Sequence, residues 1–262
     1  MIGAIIGDIV GSIYEFRNLK SKEFEFFDKK CFYTDDSVMT IAVAKALVES
    51  GKDEKGLSAA AIKHMRDLGL RHPNRGYGSG FKVWLTEEQK PYFSLGNGAA
   101  MRVSPVGFYA ESEEQVKILS KAVTEISHDH PEGIKGAEAT AMAVYMAKKG
   151  YYVTEIRDRM IKDYYPEISE ITVDGIREEY FFDGTCQGTV PQAMQCFFES
   201  TDFEDAIRNG VSIGGDTDTI CAIIGGIAEA YYGIPYYIKE KAMKYLDEDL
   251  KTELKLIRQY FL

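Results

Sequence analysis

The sequence predicts an all-α protein, and three observations carry the prediction. Apolar residues recur at helical spacing along nearly all 262 residues. Alternation of the strand type is confined to two short stretches, Phe24–Phe27 and Glu179–Phe182. No fixed-period repeat, low-complexity tract or Pro/Ser-rich linker interrupts the pattern, so one compact domain over residues 1–262 is expected.

The first element, Met1–Gly11, is apolar and carries Gly3, Gly7 and Gly11 four residues apart. That spacing clears one edge of a helix of side chains and allows close approach to a neighbour. Asp8 and Glu15, seven apart, are expected to share a face of this helix, and a charge in so apolar a segment calls for a partner. From Asp36 to Glu49, Val38, Ile41, Ala42 and Lys45 fall three or four apart, with Val43, Ala44, Leu47 and Val48 widening the face. Glu113–Ser127 places Val116, Leu119, Val123 and Ile126 on one side and charges opposite. Further helical patterns follow at Glu132–Lys149, Val153–Tyr164, Val190–Glu199, Phe203–Asn209, Thr217–Tyr232, Ile238–Leu246 and Leu250–Phe261. Pro131 and Pro191 read as first-turn prolines.

Composition narrows the function. A hydrophobic share of 45% with 27% charged residues suits a globular protein with a sizeable core. The net charge of -10 argues against holding nucleic acid by general phosphate attraction, while leaving room for a small anion in one local pocket. Cys31, Cys186, Cys196 and Cys221 are scattered without a CxxC pair, which reads as reduced, packed thiols in a cytoplasmic protein. Asp8, Glu15 and Arg17 interrupt the apolar opening, which is too short to span a bilayer and lacks a signal-peptide start. No membrane partner is expected, and a monomer is.

The loops are less ordinary than the helices. Tyr33–Asp36, His72–Gly80, Ser94–Gly107, Ser127–Gly133 and Ser212–Thr219 cluster Gly, Asp, Asn and His, the residue types that carry function in helical domains. Tyr33-Thr34-Asp35-Asp36 and Gly214-Gly215-Asp216-Thr217-Asp218-Thr219 each precede an apolar helix. Helix capping accounts for one side chain of each. Each cluster has two carboxylates and a hydroxyl, and neighbouring carboxylates stay ionised together most readily around a cation. Their hard oxygen ligands suit Mg²⁺ or Mn²⁺. Asp216 and Asp218 lie about 200° apart around a helix, so they converge only if Asp216 sits in the preceding turn, which the Gly-Gly pair permits. Brought together, the clusters would suit metals roughly 3.5–4 Å apart. Asn74–Gly80 and Ser94–Ala100 could cradle phosphates through backbone N–H groups, or be plain turns; His128 and His130 could be ligands or loop histidines.

With these segments assembled, the chain resembles the ADP-ribosylglycohydrolase family, which includes the dinitrogenase-reductase-activating glycohydrolases. The resemblance spans roughly residues 1–235 and rests on five ordered motifs. They are Gly3–Glu15; Tyr33-Thr34-Asp35-Asp36-Ser37; Arg75-Gly76-Tyr77-Gly78; Gly96-Asn97-Gly98-Ala99-Ala100-Met101-Arg102; and Gly214–Thr219. It implies an all-α fold with a magnesium or manganese pair in a central cleft, held by Thr34, Asp35, Asp36, Asp216, Asp218 and Thr219. It also implies that Gly76, Gly78, Ser94, Gly96, Asn97 and Gly98 line the ADP-ribose phosphates, with His128 nearby. The family's metals bind hydroxyls of the distal ribose, and glycosidic cleavage needs an acid/base group near the leaving atom. Glu15 is the expected group and Asp36 the runner-up, since a metal-bound carboxylate is a poor base. Some relatives present aromatics to adenine just before the Gly-Asn-Gly turn; Ser94-Leu95 stands here, leaving Tyr92 or Phe93 for that contact. The resemblance thus implies a hydrolase freeing ADP-ribose from an arginine-, serine- or related linkage on a protein or small molecule. The alternatives are a non-catalytic ADP-ribose-binding or crystallin-like structural member and, more remotely, a pyrophosphate hydrolase.

Overall fold

Three glycines four residues apart set how the chain's first helix packs, and the rest of the molecule is arranged around that contact. The computed structural model describes residues 1–51 and 54–261. Helix α1 (Ile2–Gly11) leads to α2 (Asp35–Ser50), α3 (Glu54–Arg71) and α4 (Ser79–Thr86). Short α5 (Gly98–Met101) and α6 (Ser104–Tyr109) precede α7 (Glu113–Thr124), α8 (Pro131–Lys148) and α9 (Val153–Asp163). The chain closes with α10 (Val173–Glu179), α11 (Cys186–Phe198), α12 (Phe203–Ile213), α13 (Thr217–Tyr232), α14 (Tyr236–Ala242) and α15 (Glu248–Ile257). Single 3-10 turns lie at Pro166–Ser169 and Arg258–Tyr260.

Helix α1 runs antiparallel to α13 with backbones touching. A Cβ on Gly7 would lie 1.8 Å from the Cys221 carbonyl oxygen, on Gly3 2.1 Å from that of Gly225, and on Gly11 2.3 Å from that of Thr217. The partner positions step by four as the glycines do, so one ridge of each helix is matched along its length. Every residue of α1 is buried. Ile5, Ile6, Ile9 and Val10 are fully enclosed, each contributing on the order of 1.5–3 kcal/mol by leaving water. Helix α8, rich in small residues, lies at the centre, with α5, α6, α7 and α13 against it; α2 packs on α3 and α15.

The expected all-α class holds: among the described residues no strand forms, and the one isolated bridge pairs Gly96 with Thr185. Both strand-like stretches are corrected. Phe24–Phe27 is irregular chain whose rings pack on Tyr14, Arg208 and Tyr245, and Glu179–Phe182 is the last residue of α10 and the loop after it. A strand needs a paired edge, and neither stretch has one. Glu15 does not continue the first helix as its spacing with Asp8 suggested. Helix α1 ends at Gly11, and a series of turns from Tyr14 to Asn18 follows. Pro131 is a first-turn proline of α8, but Pro191 sits inside α11, whose start is Thr185, its hydroxyl accepting from the Gly188 N–H. The periodicity of Leu57, Ala61, Met65 and Leu68, all buried, marks α3 clearly once the helix is seen. All four cysteines are free and buried, as expected of packed thiols. No helix of the described residues is long and apolar enough to cross a membrane.

The α1–α13 contact generates a stability prediction. On helix propensity alone Gly7→Ala should stabilise by up to about 1 kcal/mol. The 1.8 Å clash instead forces the two backbones apart, and we expect a net loss of about 3 kcal/mol, beside a near-neutral Gly184→Ala, where the added carbon meets nothing closer than 3.8 Å. Denaturant melts check this; a Gly7→Ala protein as stable as the parent would overturn it.

Candidate active site

The close α1–α13 contact brings the end of one helix to the start of the other, and so brings together residues some two hundred positions apart. Asp8 of α1, fully buried, reaches across to the first turn of α2. Its carboxylate accepts from the Thr34 N–H (2.9 Å), the Thr34 hydroxyl (2.7 Å), the Ser37 N–H (3.1 Å) and the Ser37 hydroxyl. Burial pushes its pKa up to about 6, and those four hydrogen bonds act against the rise. An ionised carboxylate at a helix N-terminus is also favoured by the helix dipole. Asp8 thus fixes the loop that presents Asp35 and Asp36.

Capping accounts for little of the acidic clusters. Thr34 is the N-cap of α2, accepting from the Asp36 N–H, which leaves both aspartate side chains over. Asp216 occupies the N-cap position of α13, yet its side chain caps nothing there; it accepts from the Asn97 amide at 2.7 Å. The turn before it is held by its neighbours. Gly214 and Gly215 adopt φ of +72° and +78°, values that favour glycine. The Asn18 side chain accepts from the Gly215 N–H (2.9 Å), and Lys20 donates to the carbonyls of Ile213 and Tyr180. With Asp216 in this turn, the condition for convergence with Asp218 is met. Oxygen atoms of Glu15, Asp216 and Asp218 lie within 4.8 Å of one another.

A cleft of about 550 Å³ opens over these carboxylates. Many of the residues singled out in the sequence line it: Glu15, Thr34, Asp35, Asp36, Asp216, Asp218 and Thr219 on the acidic side, Gly76, Gly78, Ser94, Gly96, Asn97, Gly98 and His128 around it; His130 and Phe93 are not among its lining residues. The loop carrying Gly76 is pinned by the Asp35 N–H, which donates to the Arg75 carbonyl at 2.7 Å, and by the Arg75 guanidinium, 3.6 Å above the Tyr33 ring centre. The Ser94–Gly98 loop is strapped to the start of α11, with the Asn97 N–H donating to Gly184 and the Cys186 N–H to Leu95. The Asn97 side chain is spent on Asp216 and on Thr189, so it braces the acidic side as well as lining the cleft.

Electrostatics divides the cleft. Burial first, then the neighbouring carboxylates Asp8, Asp35 and Asp216, drive the Asp36 pKa well above the usual range. Asp218 is driven up likewise, by burial and by Asp216, Asp36 and Glu15. Asp35 is raised to about 8 by burial and by Asp8, and Glu15 to about 7 by burial and by Asp216. Asp36 Oδ1 is buried without a hydrogen-bond partner. Such a set of hard oxygens, one of them orphaned, fits a divalent cation. On the other side Arg102 is buried, and His128 is held far below its usual pKa by burial and by that guanidinium.

Of the two aromatics expected near a base, Tyr92 lines the cleft, while Phe93 packs on His130 with ring centres 4.7 Å apart. Phe16, Phe32 and Phe182 were not singled out from the sequence, yet they stand at the cleft's mouth, Phe16 84% exposed. The Phe16 and Phe182 rings are nearly parallel, 6.4 Å between centres. Lone aromatics in loops carry no periodic signal, and only the folded chain gathers them.

Comparison with known proteins finds relatives over nearly the whole chain. The sequence profile described as ADP-ribosylglycohydrolase matches residues 1–260. The chain is 26% identical to the ADP-ribosylhydrolase ARH3 of Homo sapiens, over 89% of this chain and 84% of that protein. It is 22% identical to the ADP-ribosylarginine hydrolase Tri1 of Pseudomonas putida, over 97% and 76%. A solved structure titled ADP-ribosylglycohydrolase-related protein complex superposes with a TM-score of 0.66 at 22% identity, over 100% of this chain and 97% of that one, a likeness of fold.

The crowded carboxylates generate a prediction about pH. Their folded pKa values are raised, to about 6 for Asp8, 7 for Glu15 and 8 for Asp35, so the cation-free fold holds protons that the unfolded chain has released. Their contribution to stability is full below about pH 4 and is lost as pH rises through about 6 to 8. Chelator-treated protein should therefore melt lower at pH 8 than at pH 5. Mg²⁺ or Mn²⁺ at pH 8 should restore stability, by about 2.7 kcal/mol at a hundredfold excess over the dissociation constant. Coincident melts with and without cation would show that the clusters bind none.

Proposed function

We propose, from the premise that the chain belongs to the ADP-ribosylglycohydrolase family, that it hydrolyses the glycosidic bond joining ADP-ribose to an arginine-, serine- or related linkage. The target is an ADP-ribosylated protein or small molecule, and the cofactors are two divalent cations, Mg²⁺ or Mn²⁺. The observation that carries the reading is the convergence of Asp35–Asp36 with Asp216–Asp218 on one side of a cleft whose other side is glycine loops and a neutral histidine.

Thr34, Asp35, Asp36, Asp216, Asp218 and Thr219 would hold the cations, which supply positive charge and polarise bound oxygen atoms. The chain's own residues do the rest. The loops at Gly76–Gly78 and Ser94–Gly98 leave backbone room for phosphates to approach. His128 faces the second of these loops, its Nε2 3.2 Å from where a Cβ on Gly98 would stand. Glu15 lies in the turn after α1, half-buried at the junction of cleft and mouth. Its raised pKa, about 7 in the cation-free cleft, keeps it near the balance between giving and taking a proton. On this reading it is the acid/base group that serves the leaving atom or the attacking water. Asp36, buried among the residues that would hold the cations, is the weaker candidate.

Activity against a panel of arginine-, serine- and nucleobase-linked ADP-ribose should release intact ADP-ribose with Mg²⁺ present and nothing after exhaustive chelation. Release of AMP would point instead to pyrophosphate cleavage, and full activity without metal would remove the cations from the reading. Glu15→Gln should lower the single-turnover rate about 10²–10⁴-fold, with ADP-ribose affinity and melting temperature nearly unchanged. A Glu15→Gln protein with parental turnover would move the acid/base role to Asp36.

A further inference from the structure

Behind the glycine loops, three side chains form a line that the proposed chemistry does not yet use. Arg102, at the C-terminus of α5, is 1% exposed and lies with its guanidinium carbon 5.3 Å from the Phe81 ring centre. Its Nη2 donates to the hydroxyl of the fully buried Ser127 at 2.8 Å, and that hydroxyl is 2.8 Å from His128 Nδ1.

The proton bookkeeping of this line has one satisfactory solution. A guanidinium can only donate, so Ser127 Oγ accepts from Arg102. The serine still has one proton to place, and His128 Nδ1 is the other partner within reach. If Nδ1 carried hydrogen, in the other neutral tautomer or in the imidazolium, Arg102 and His128 would both donate to Ser127. Its own proton would then be buried without an acceptor, which disfavours those forms by about tenfold or more. Nδ1 is therefore the acceptor, and the ring's hydrogen sits on Nε2. That atom points to the cleft between two glycines: a Cβ on Gly98 would lie 3.2 Å from it, and one on Gly96 3.6 Å.

We propose that Arg102 and Ser127 are positioning residues that lock His128 in the Nε2–H tautomer, so that this side of the cleft selects a hydrogen-bond acceptor, a phosphate oxygen of the ligand. Neither residue needs to touch the ligand for this. The buried guanidinium, whose Nε has no partner, also adds a positive field behind the glycine loops, opposite the carboxylates. The ligand half of the inference rests on the ADP-ribose reading above; the tautomer half does not.

The experiment keeps them apart. The chain has four histidines, so ¹⁵N-detected NMR of their imidazoles can be assigned by single substitutions. In the ligand-free parent protein at neutral pH, His128 should show a protonated Nε2 and an unprotonated Nδ1. Ser127→Ala should turn this into a tautomer mixture and weaken ADP-ribose binding in proportion to the Nε2–H fraction lost, about twofold for an even mixture, while the protein remains folded. The parent spectrum needs no variant: an Nδ1–H or doubly protonated ring there overturns the proposal. So does a folded Ser127→Ala protein with the parental tautomer and affinity. Failure of the parent to bind ADP-ribose would count against the substrate reading and the phosphate partner, leaving the tautomer lock to stand on its spectrum.

Discussion

Backbone contact between α1 and α13 is the constraint from which the rest follows. A helix pair with ordinary side chains stands 8–10 Å apart. Here Gly3, Gly7 and Gly11 remove the side chains from one helix, and the carbonyls of Thr217, Cys221 and Gly225 move into the space. The result is registration along the whole of α1. Asp8 is delivered to the first turn of α2, and the chain leaves Gly11 directly beside the start of α13. One helix therefore sets the relative position of two others, and the acidic residues ride on the two N-termini so positioned.

That arrangement stores electrostatic tension. Asp8, Asp35, Asp36, Asp216 and Asp218 are buried or nearly so, and each is raised by burial; for Asp35, Asp36 and Asp218 the repulsion of the others adds to it. Only Asp8 is well provided with donors, and it is the one whose job is structural. Asp216 has the Asn97 amide, but Asp36 Oδ1 has no partner and Asp35, Asp36 and Asp218 are raised by burial and by one another, which is the pattern of groups built for a positively charged ligand rather than for the stability of the empty fold. The far side of the cleft has the opposite character, with a buried guanidinium, a neutral histidine and loops nearly free of side chains. A ligand with one end rich in hydroxyls and a middle rich in anionic oxygen matches that division.

Much of this was legible in the sequence because the signals are local. The glycine spacing of α1, the periodicity of α2, α7, α8 and α13, and the two acidic clusters ahead of helices each need only a short window of chain to be read. Helix geometry makes convergence of Asp216 with Asp218 conditional on Asp216 lying in the turn before α13, because two carboxylates two residues apart cannot meet on a helix, and the Gly-Gly pair permits that turn. The same locality explains the misreadings. Four aromatic-rich residues at Phe24–Phe27 alternate like a strand but find rings and Arg208 rather than a paired edge. Pro191 resembles a helix start, yet Thr185 offers the better cap six residues earlier in the same helix.

By itself the sequence determined the helical class, the residues around the cleft and the chemistry they suit, because residue type and short-range spacing carry that information. Only the tertiary structure decided which partners those residues meet. It ended α1 before Glu15, so that Glu15 stands off the helix and beside Asp216 and Asp218. It spent Asn97 on Asp216, gathered Phe16, Phe32 and Phe182 at the mouth, and set Ser127 between Arg102 and His128. Each of these depends on a contact between distant parts of the chain, and the choice among such contacts is made by packing and by the burial of polar groups, which no local window contains.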